Sequence, residues 1–99
     1  MFVILLHYEN GLDPVEKHLA AHAAWLDDQF SRGIFLASGR RVPRTGGVIL
    51  ALARDRAQVE ALVATDPFHI HGAARHEIVE FEVGRTSAGF QSTLAEQGA

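Results

Sequence analysis

The chain has 99 residues, a formal net charge of -3 and no cysteine. Its length suits one domain with one modest core, and the lack of cysteine excludes a disulfide framework, a thiolate nucleophile and a cysteine-based zinc site. The basic residues are dispersed, so we expect no nucleic-acid or membrane partner. The first apolar run, Phe2–Leu6, is too short for a signal peptide or a membrane span, and we expect a cytoplasmic protein.

The first third of the chain predicts a strand followed by an amphipathic helix. The strand covers about seven residues from Phe2, and both of its faces are apolar. Asp13 is a predicted N-cap, and Glu16 stands three residues after it in the manner of a capping box. The helix should run to about Arg32, with Gly33 in the left-handed conformation that ends it.

The rest of the chain predicts three strands, a second helix and a tail. The strands are expected at 34–39, 47–53 and 77–83, and the helix begins at an Asp55 cap and ends before Pro67. In the last strand, Val79, Phe81 and Val83 are predicted to face the core. The order βαββαβ is the ferredoxin-like α+β arrangement, with a four-stranded antiparallel sheet and both helices on one face. Residues 85–99 form a tail for which two alternatives are open, loose order or contact with a partner subunit.

The first three strands carry apolar residues on both faces, but two helices cover only one face of the sheet. An uncovered apolar face of that size is unusual for a solitary soluble domain. We therefore predict a homodimer through the open sheet face, although short apolar strands are also common in monomers.

His22 lies in the middle of the apolar stripe of the first helix, between Leu19 and Leu26. A buried imidazole needs a hydrogen-bond partner, so His22 is either a satisfied core histidine or, beside a carboxylate, a general base. Asp66, in the segment Thr65–Phe68, is the best candidate for that carboxylate, but it is equally suited to terminating a helix.

Other polar residues suggest weaker sites. Ser38 and Gly39 end the second strand, where a hydroxyl and a bare amide could hold a substrate oxygen, or where an ordinary hairpin begins. His18 and His22 have the i, i+4 spacing of metal ligands, and an alternating His69 and His71 pair follows Asp66. No glutamate follows His18 as a metalloprotease motif requires, and no phosphate-binding or dinucleotide fingerprint is present, so we expect neither a metal nor a cofactor.

Several segments together resemble the YciI-like (YCII-related domain) family over residues 1–84. They are His22–Leu26, Phe35–Gly39, Gly46–Leu50, Thr65–Phe68 and Glu77–Phe81, and their order and spacing carry the resemblance.

The resemblance implies a ferredoxin-like fold that pairs as a dimeric α+β barrel, with a catalytic His-Asp dyad that falls on His22 and Asp66. The family's known chemistry includes elimination of chloride from a chlorinated aromatic ring, which makes a lyase-like acid-base enzyme one expectation. A non-catalytic ligand-binding or accessory module is the alternative, and a metal protein is the least favoured.

The same resemblance predicts a substrate-binding site at Ser38, Gly39, Phe68 and Arg40. The family often has proline where this chain has Arg40. If Arg40 or Arg41 turns inward, its charge favours an anionic or phenolate ligand.

Overall fold

A computed structural model describes residues 1–96 of the chain and confirms the ferredoxin-like α+β arrangement. The elements are β1 (Phe2–Tyr8), α1 (Asp13–Ser31), β2 (Phe35–Arg40), β3 (Gly46–Ala51), α2 (Arg56–Val63), α3 (Pro67–Ile70), β4 (Ala74–Glu80) and α4 (Ala88–Glu96). The four strands form one antiparallel sheet in the order β2-β3-β1-β4. Within residues 1–96, none of the helices combines the length and apolarity that a membrane crossing needs.

The ends of α1 agree with the sequence prediction only in part. Gly33 has a φ of 74°, as predicted for the residue that ends the helix. The prediction of a cap at Asp13 is wrong, because Leu12 holds the cap position and no side chain accepts from the first turn. Glu16 also does not close a capping box; its carboxylate lies 2.7 Å from Nη1 of Arg44 in the β2–β3 connection, an ion pair that the local sequence does not reveal.

The second helical region consists of two helices instead of one. Asp55 caps α2 as predicted, accepting the N–H of Gln58 at 2.9 Å. The short helix α3 was not predicted, and Asp66 is its N-cap. Proline at the first helical position and a preceding aspartate are a helix-start signal, even though the same proline ends the helix before it.

β4 is placed three residues earlier than predicted, and its buried face is the opposite one. Leu6 of β1 pairs with His76, so Ala74, His76 and Ile78 face the helices. Val79 is 42% exposed, and Phe81 and Val83 lie beyond the strand and are also exposed. The prediction failed because the strand was placed three residues late, so that Phe81 and Val83, which lie beyond it, made the face of Val79 look like the apolar one.

β2 contains an irregularity that decides where its polar end points. Phe35 pairs with Ala51 and Ala37 with Leu50, so β2 has one extra residue between them. A bulge of this kind reverses the facing of the residues that follow it. Ser38 pairs with Ile49 and therefore turns to the helix-covered face.

The sheet has two unequal faces. The covered face carries Phe2, Ile4 and Leu6, which pack with residues of α1 and α2 into one core. The open face carries Val3, which pairs with Leu50 and Val79. The predicted pairing of two such open faces stays a prediction, as does contact of the tail with a partner; the tail's residues 97–99 lie outside the described residues.

Candidate functional site

His22 projects from α1 against the start of α3. The residue is 8% exposed, and its Nδ1 lies 2.7 Å from Oδ1 of Asp66. The Phe68 ring stacks on the imidazole, with 3.9 Å between centroids and 6° between planes. Trp25, one turn later on α1, donates to Oγ1 of Thr65 and thereby fixes α1 against the residue before Asp66. His22 and Asp66, predicted as partners from the sequence, are thus in contact.

Asp66 is completely buried and accepts from three donors. Besides His22, the backbone N–H of Phe68 donates to Oδ1 at 3.0 Å, as expected for an N-cap. His76 of β4 lies on the other side, with Nε2 at 2.7 Å from Oδ2. Each carboxylate oxygen therefore faces one imidazole.

The charge state of Asp66 fixes the tautomers of both histidines. Burial by itself raises the pKa of Asp66, but the hydrogen bonds from His22, His76 and the Phe68 amide outweigh burial and hold this pKa below its usual value. An ionised carboxylate only accepts hydrogen bonds, so Nδ1 of His22 and Nε2 of His76 must carry the hydrogens. Neutral His22 then has its lone pair on Nε2.

A cavity of about 150 Å³ opens in front of His22. Phe68 and Leu19 line its helix side, Ile49 lies on its sheet side, and Tyr8 closes one edge. Tyr8 meets Phe68 edge-on, with 6.3 Å between the ring centroids. Nε2 of His22 makes no hydrogen bond within residues 1–96 and is not fully buried, which leaves it free to meet a molecule in this cavity.

The predicted substrate-binding residues lie around this cavity. Ser38, Gly39, Phe68 and Arg40 all line it. Arg41 turns the other way, since its Nη1 lies 3.2 Å from Nδ1 of His7 on the open sheet face. Arg40 is therefore the cation that the cavity contains.

Gly47 lines the sheet side of the cavity, and its lack of a side chain leaves space there. It pairs with Leu6 and Arg40 on the covered face, where a side chain would project toward the helices. A Cβ built at Gly47 would lie 3.3 Å from the carbonyl oxygen of Gly39, which is a tight contact. A larger residue here would displace the wall of the cavity or fill it.

The histidines considered as metal ligands do not converge. His18 stacks on His71, with 3.9 Å between centroids and 2° between planes, and His22 faces Asp66 instead. His69 meets the edge of His76 at 5.9 Å. Across residues 1–96, no three histidine, cysteine or acidic side chains are arranged to hold one metal ion.

Sequence reasoning missed the roles of His76 and Tyr8. His76 lies two residues before Ile78 on the same face of β4, so an earlier start of this strand would have brought it into view. Tyr8 ends β1 at the point where the cavity opens, and no local motif marks it.

The comparisons agree with this fold and with the sequence resemblance. A family model described as the YCII-related domain matches residues 1–82. Among solved structures, the chain is similar to the 5-chloro-2-hydroxyhydroquinone dehydrochlorinase TftG from Burkholderia phenoliruptrix AC1100, solved in complex with 2,5-dihydroxybenzoquinone. The TM-score is 0.71 at 20% identity, and the alignment covers 85% of this chain and 96% of that one. A search of curated protein sequences found no match. The match over 82 of the 99 residues shows that this chain belongs to the YCII-related domain family.

Proposed function

We propose that the chain is a small-molecule enzyme in which His22 acts as general base and general acid on a single-ring phenolic substrate, in a lyase-like elimination. One observation carries the proposal: Nδ1 of His22 is held by a buried carboxylate, while Nε2 is free beside a cavity. A histidine with one nitrogen fixed in this way is oriented for proton transfer through the other.

The proposed step moves one proton and one leaving group. Nε2 of His22 takes a proton from the substrate, and the electron pair of the broken bond forms a new double bond in the ring system. The bond to the leaving group breaks, and the leaving group departs with its electron pair as an anion. Asp66 stabilises the imidazolium formed, which then returns its proton to the departing anion or to water.

The cavity supports a small aromatic substrate. An apolar cavity of about 150 Å³ accommodates a benzene ring, and the cavity here has about this volume. Arg40 supplies a positive charge that suits a phenolate oxygen. The hydroxyl of Ser38 is a further donor for a ring oxygen.

The similar dehydrochlorinase supports the same class of ligand. Its name gives a chlorinated hydroxyhydroquinone as substrate, and it was solved with a dihydroxybenzoquinone. At 20% identity the two proteins share a fold, so we do not carry chloride over as the leaving group.

The activity is tested with His22→Asn, because the asparagine amide can replace Nδ1–H toward Asp66 but offers no equivalent of Nε2. The substrates are a panel of small phenols, lactones and chlorinated hydroquinones. We expect turnover to fall at least about 100-fold, the usual contribution of a general base, while the thermal midpoint stays near that of the wild type. The matched control is His71→Asn, which removes an exposed histidine outside the cavity. Unchanged turnover in His22→Asn would contradict the assignment.

A non-catalytic ligand-binding module is the second candidate. The complete burial of Asp66 and its three donors suit a hydrogen-bond network that sets helix packing. This candidate predicts that phenolic compounds raise the thermal midpoint of the wild type but are not consumed. Loss of that stabilisation in Arg40→Ala would then place the bound ligand in the same cavity.

We also propose that two copies of the chain pair through their open sheet faces. Val3, Leu50 and Val79 form a row across that face, and Val79 is 42% exposed in the single chain. Apolar rows of this kind are typical of subunit contacts.

The pairing is tested by light scattering coupled to size-exclusion chromatography. We expect the wild type to have twice the chain mass and Val3→Lys to have the mass of one chain. Val42→Lys is the matched control, because Val42 is 98% exposed in the β2–β3 connection and off this row. A wild type with the mass of one chain would refute the pairing.

A further inference from the structure

Asp66 lies between two imidazoles, and the proposed chemistry uses only one of them. The His76 side chain is 2% exposed, less than that of His22, and its Nε2 donates to Oδ2 of Asp66. Its other ring nitrogen, Nδ1, is buried and has no hydrogen-bond partner within residues 1–96. A polar atom left unpaired in the core costs stability, so an apolar residue would suit packing better at this position.

His76 and Asp66 are close in the sequence as well as in the fold. β4 begins eight residues after Asp66, and its pairing with β1 turns His76 to the covered face opposite Leu6. His69 of α3 lies edge-on to the His76 ring. The contact between His76 and Asp66 therefore depends on strand register as well as on side-chain choice.

We propose that His76 is a positioning residue: its hydrogen bond to Oδ2 holds the Asp66 carboxylate with Oδ1 aimed at Nδ1 of His22, and it takes a share of the carboxylate charge that would otherwise act on His22 alone. The part of this inference that concerns turnover rests on the proposed function. The part that concerns the two hydrogen bonds can be measured without any substrate.

The negative charge of the Asp66 carboxylate is shared between two imidazole donors, His22 and His76. A hydrogen bond to a carboxylate withdraws charge from it and fixes its orientation. With His76 present, His22 receives only part of the stabilisation that Asp66 can give to an imidazolium. Without His76, the full charge would face His22, which would then take up a proton from water more readily and be less available as a base.

The remaining titratable and charged groups near the two rings are few. Tyr8 from β1 and Arg40 from β2 line the cavity in front of His22, and His18 lies one turn earlier on α1. His69 faces His76. Arg75 and Glu77, the neighbours of His76 along β4, point to the open face. None of these groups changes in the two His76 variants below, so their effects cancel when those variants are compared with the wild type.

The experiment is a nuclear magnetic resonance titration of the His22 ring in the wild type and in three variants. In His76→Leu, which removes the donor, we expect the His22 titration midpoint to move to higher pH, because the full carboxylate charge then faces His22. In His76→Gln, whose amide nitrogen can take the place of Nε2–H, we expect the midpoint to return to within a few tenths of a unit of the wild type. His69→Gln is the control for a neighbouring histidine that does not touch the carboxylate.

Two outcomes would overturn the inference. One is a folded His76→Leu in which His22 titrates as in the wild type. The other concerns the wild type alone and stands even if His76→Leu does not fold: nitrogen spectra should show His76 protonated at Nε2 and not at Nδ1, and the reverse tautomer would refute the contact. Neither measurement uses turnover. A failed activity screen would therefore leave the inference about His76 intact, and a failed titration would leave the proposed activity intact.

If turnover is found, the pH-rate profile gives a third readout. The low-pH limb of the profile, where the rate rises as the general base loses its proton, should move in His76→Leu in the same direction as the His22 titration, and His76→Gln should restore it. A purely structural role for His76 would lower the rate at all pH values without moving the profile.

Discussion

Two pairs of side chains join α1 to α3 one helical turn apart, and they differ in what the α1 histidine faces. His22 meets a carboxylate, with 2.7 Å between its Nδ1 and Oδ1 of Asp66. His18, four residues earlier, meets another imidazole, that of His71, in a parallel stack. Both histidines contact the region of Asp66–His71, so helix position does not distinguish them.

The difference shows that the neighbouring group decides whether the tautomer of a histidine is fixed and whether one ring nitrogen is left for proton transfer. Desolvation, followed by repulsion from His71 and Lys17, lowers the pKa of His18, so its neutral form is favoured. Within the described residues 1–96, the His18 ring has no hydrogen bond to a carboxylate, so either of its ring nitrogens can carry the hydrogen. Asp66 fixes one nitrogen of His22 and leaves the other for chemistry.

The largest expected effect comes from removing the carboxylate that makes this difference. Asp66→Ala leaves the His22, His76 and Phe68 donors without their acceptor inside the protein. Each buried donor left without an acceptor costs about 1–3 kcal/mol of unfolding free energy, so the loss of an acceptor shared by three donors is the largest effect that we expect. Urea denaturation monitored by Trp25 fluorescence measures the loss.

The matched control is Asp55→Ala. Asp55 is also an N-cap aspartate, at the start of α2, but its side chain is exposed and, among residues 1–96, accepts from Gln58 and Arg54 only. We expect a clearly smaller loss than for Asp66→Ala. Equal losses would mean that Asp66 acts only as a helix cap, and the contrast between the two histidines would lose its basis.

The fold could be predicted from the sequence because its signals are local. The stripe of α1, the left-handed Gly33 and the Asp55 cap each depend on a few neighbouring residues. Which face of β4 lies against the helices could not be predicted in the same way. Val79 and Ile78 are both apolar, and only the pairing of β4 with β1 decides which is covered.

The candidate site, like the fold, could be predicted where its signals are local and not where they depend on strand register. His22 stood out as a polar residue on an apolar stripe, the segment Thr65–Phe68 offered Asp66 as a candidate partner, and the resemblance favoured that pair. His76 did not stand out, because its importance depends on register across β1 and on the short helix α3. The bulge that turns Ser38 toward the cavity was hidden as well, since an extra residue in a strand leaves no local signal here.

A smaller effect is expected from giving His18 the kind of partner that His22 has. In the wild type, the lowered pKa of His18 means that protonation opposes folding, so the stability contributed by neutral His18 is present above the unfolded pKa of about 6.5 and is lost as the pH falls below it. His71→Glu would place a carboxylate beside the ring. The pKa of His18 should then rise above its usual value, and the added stability would be present below about pH 6.5 and lost as the pH rises through the new pKa.

The measurement is the His18 titration by nuclear magnetic resonance, together with thermal midpoints between about pH 5 and pH 8. His71→Gln is the control, because it removes the imidazole without adding a charge and should bring the pKa of His18 only part of the way back. Since His18 and His71 lie near the surface, water screens the new pair and the change in thermal midpoint should be small. A His18 titration that is the same in His71→Glu and His71→Gln would show that a carboxylate at this position does not act on the ring, and that burial of the acid, as at Asp66, is what gives such a pair its strength.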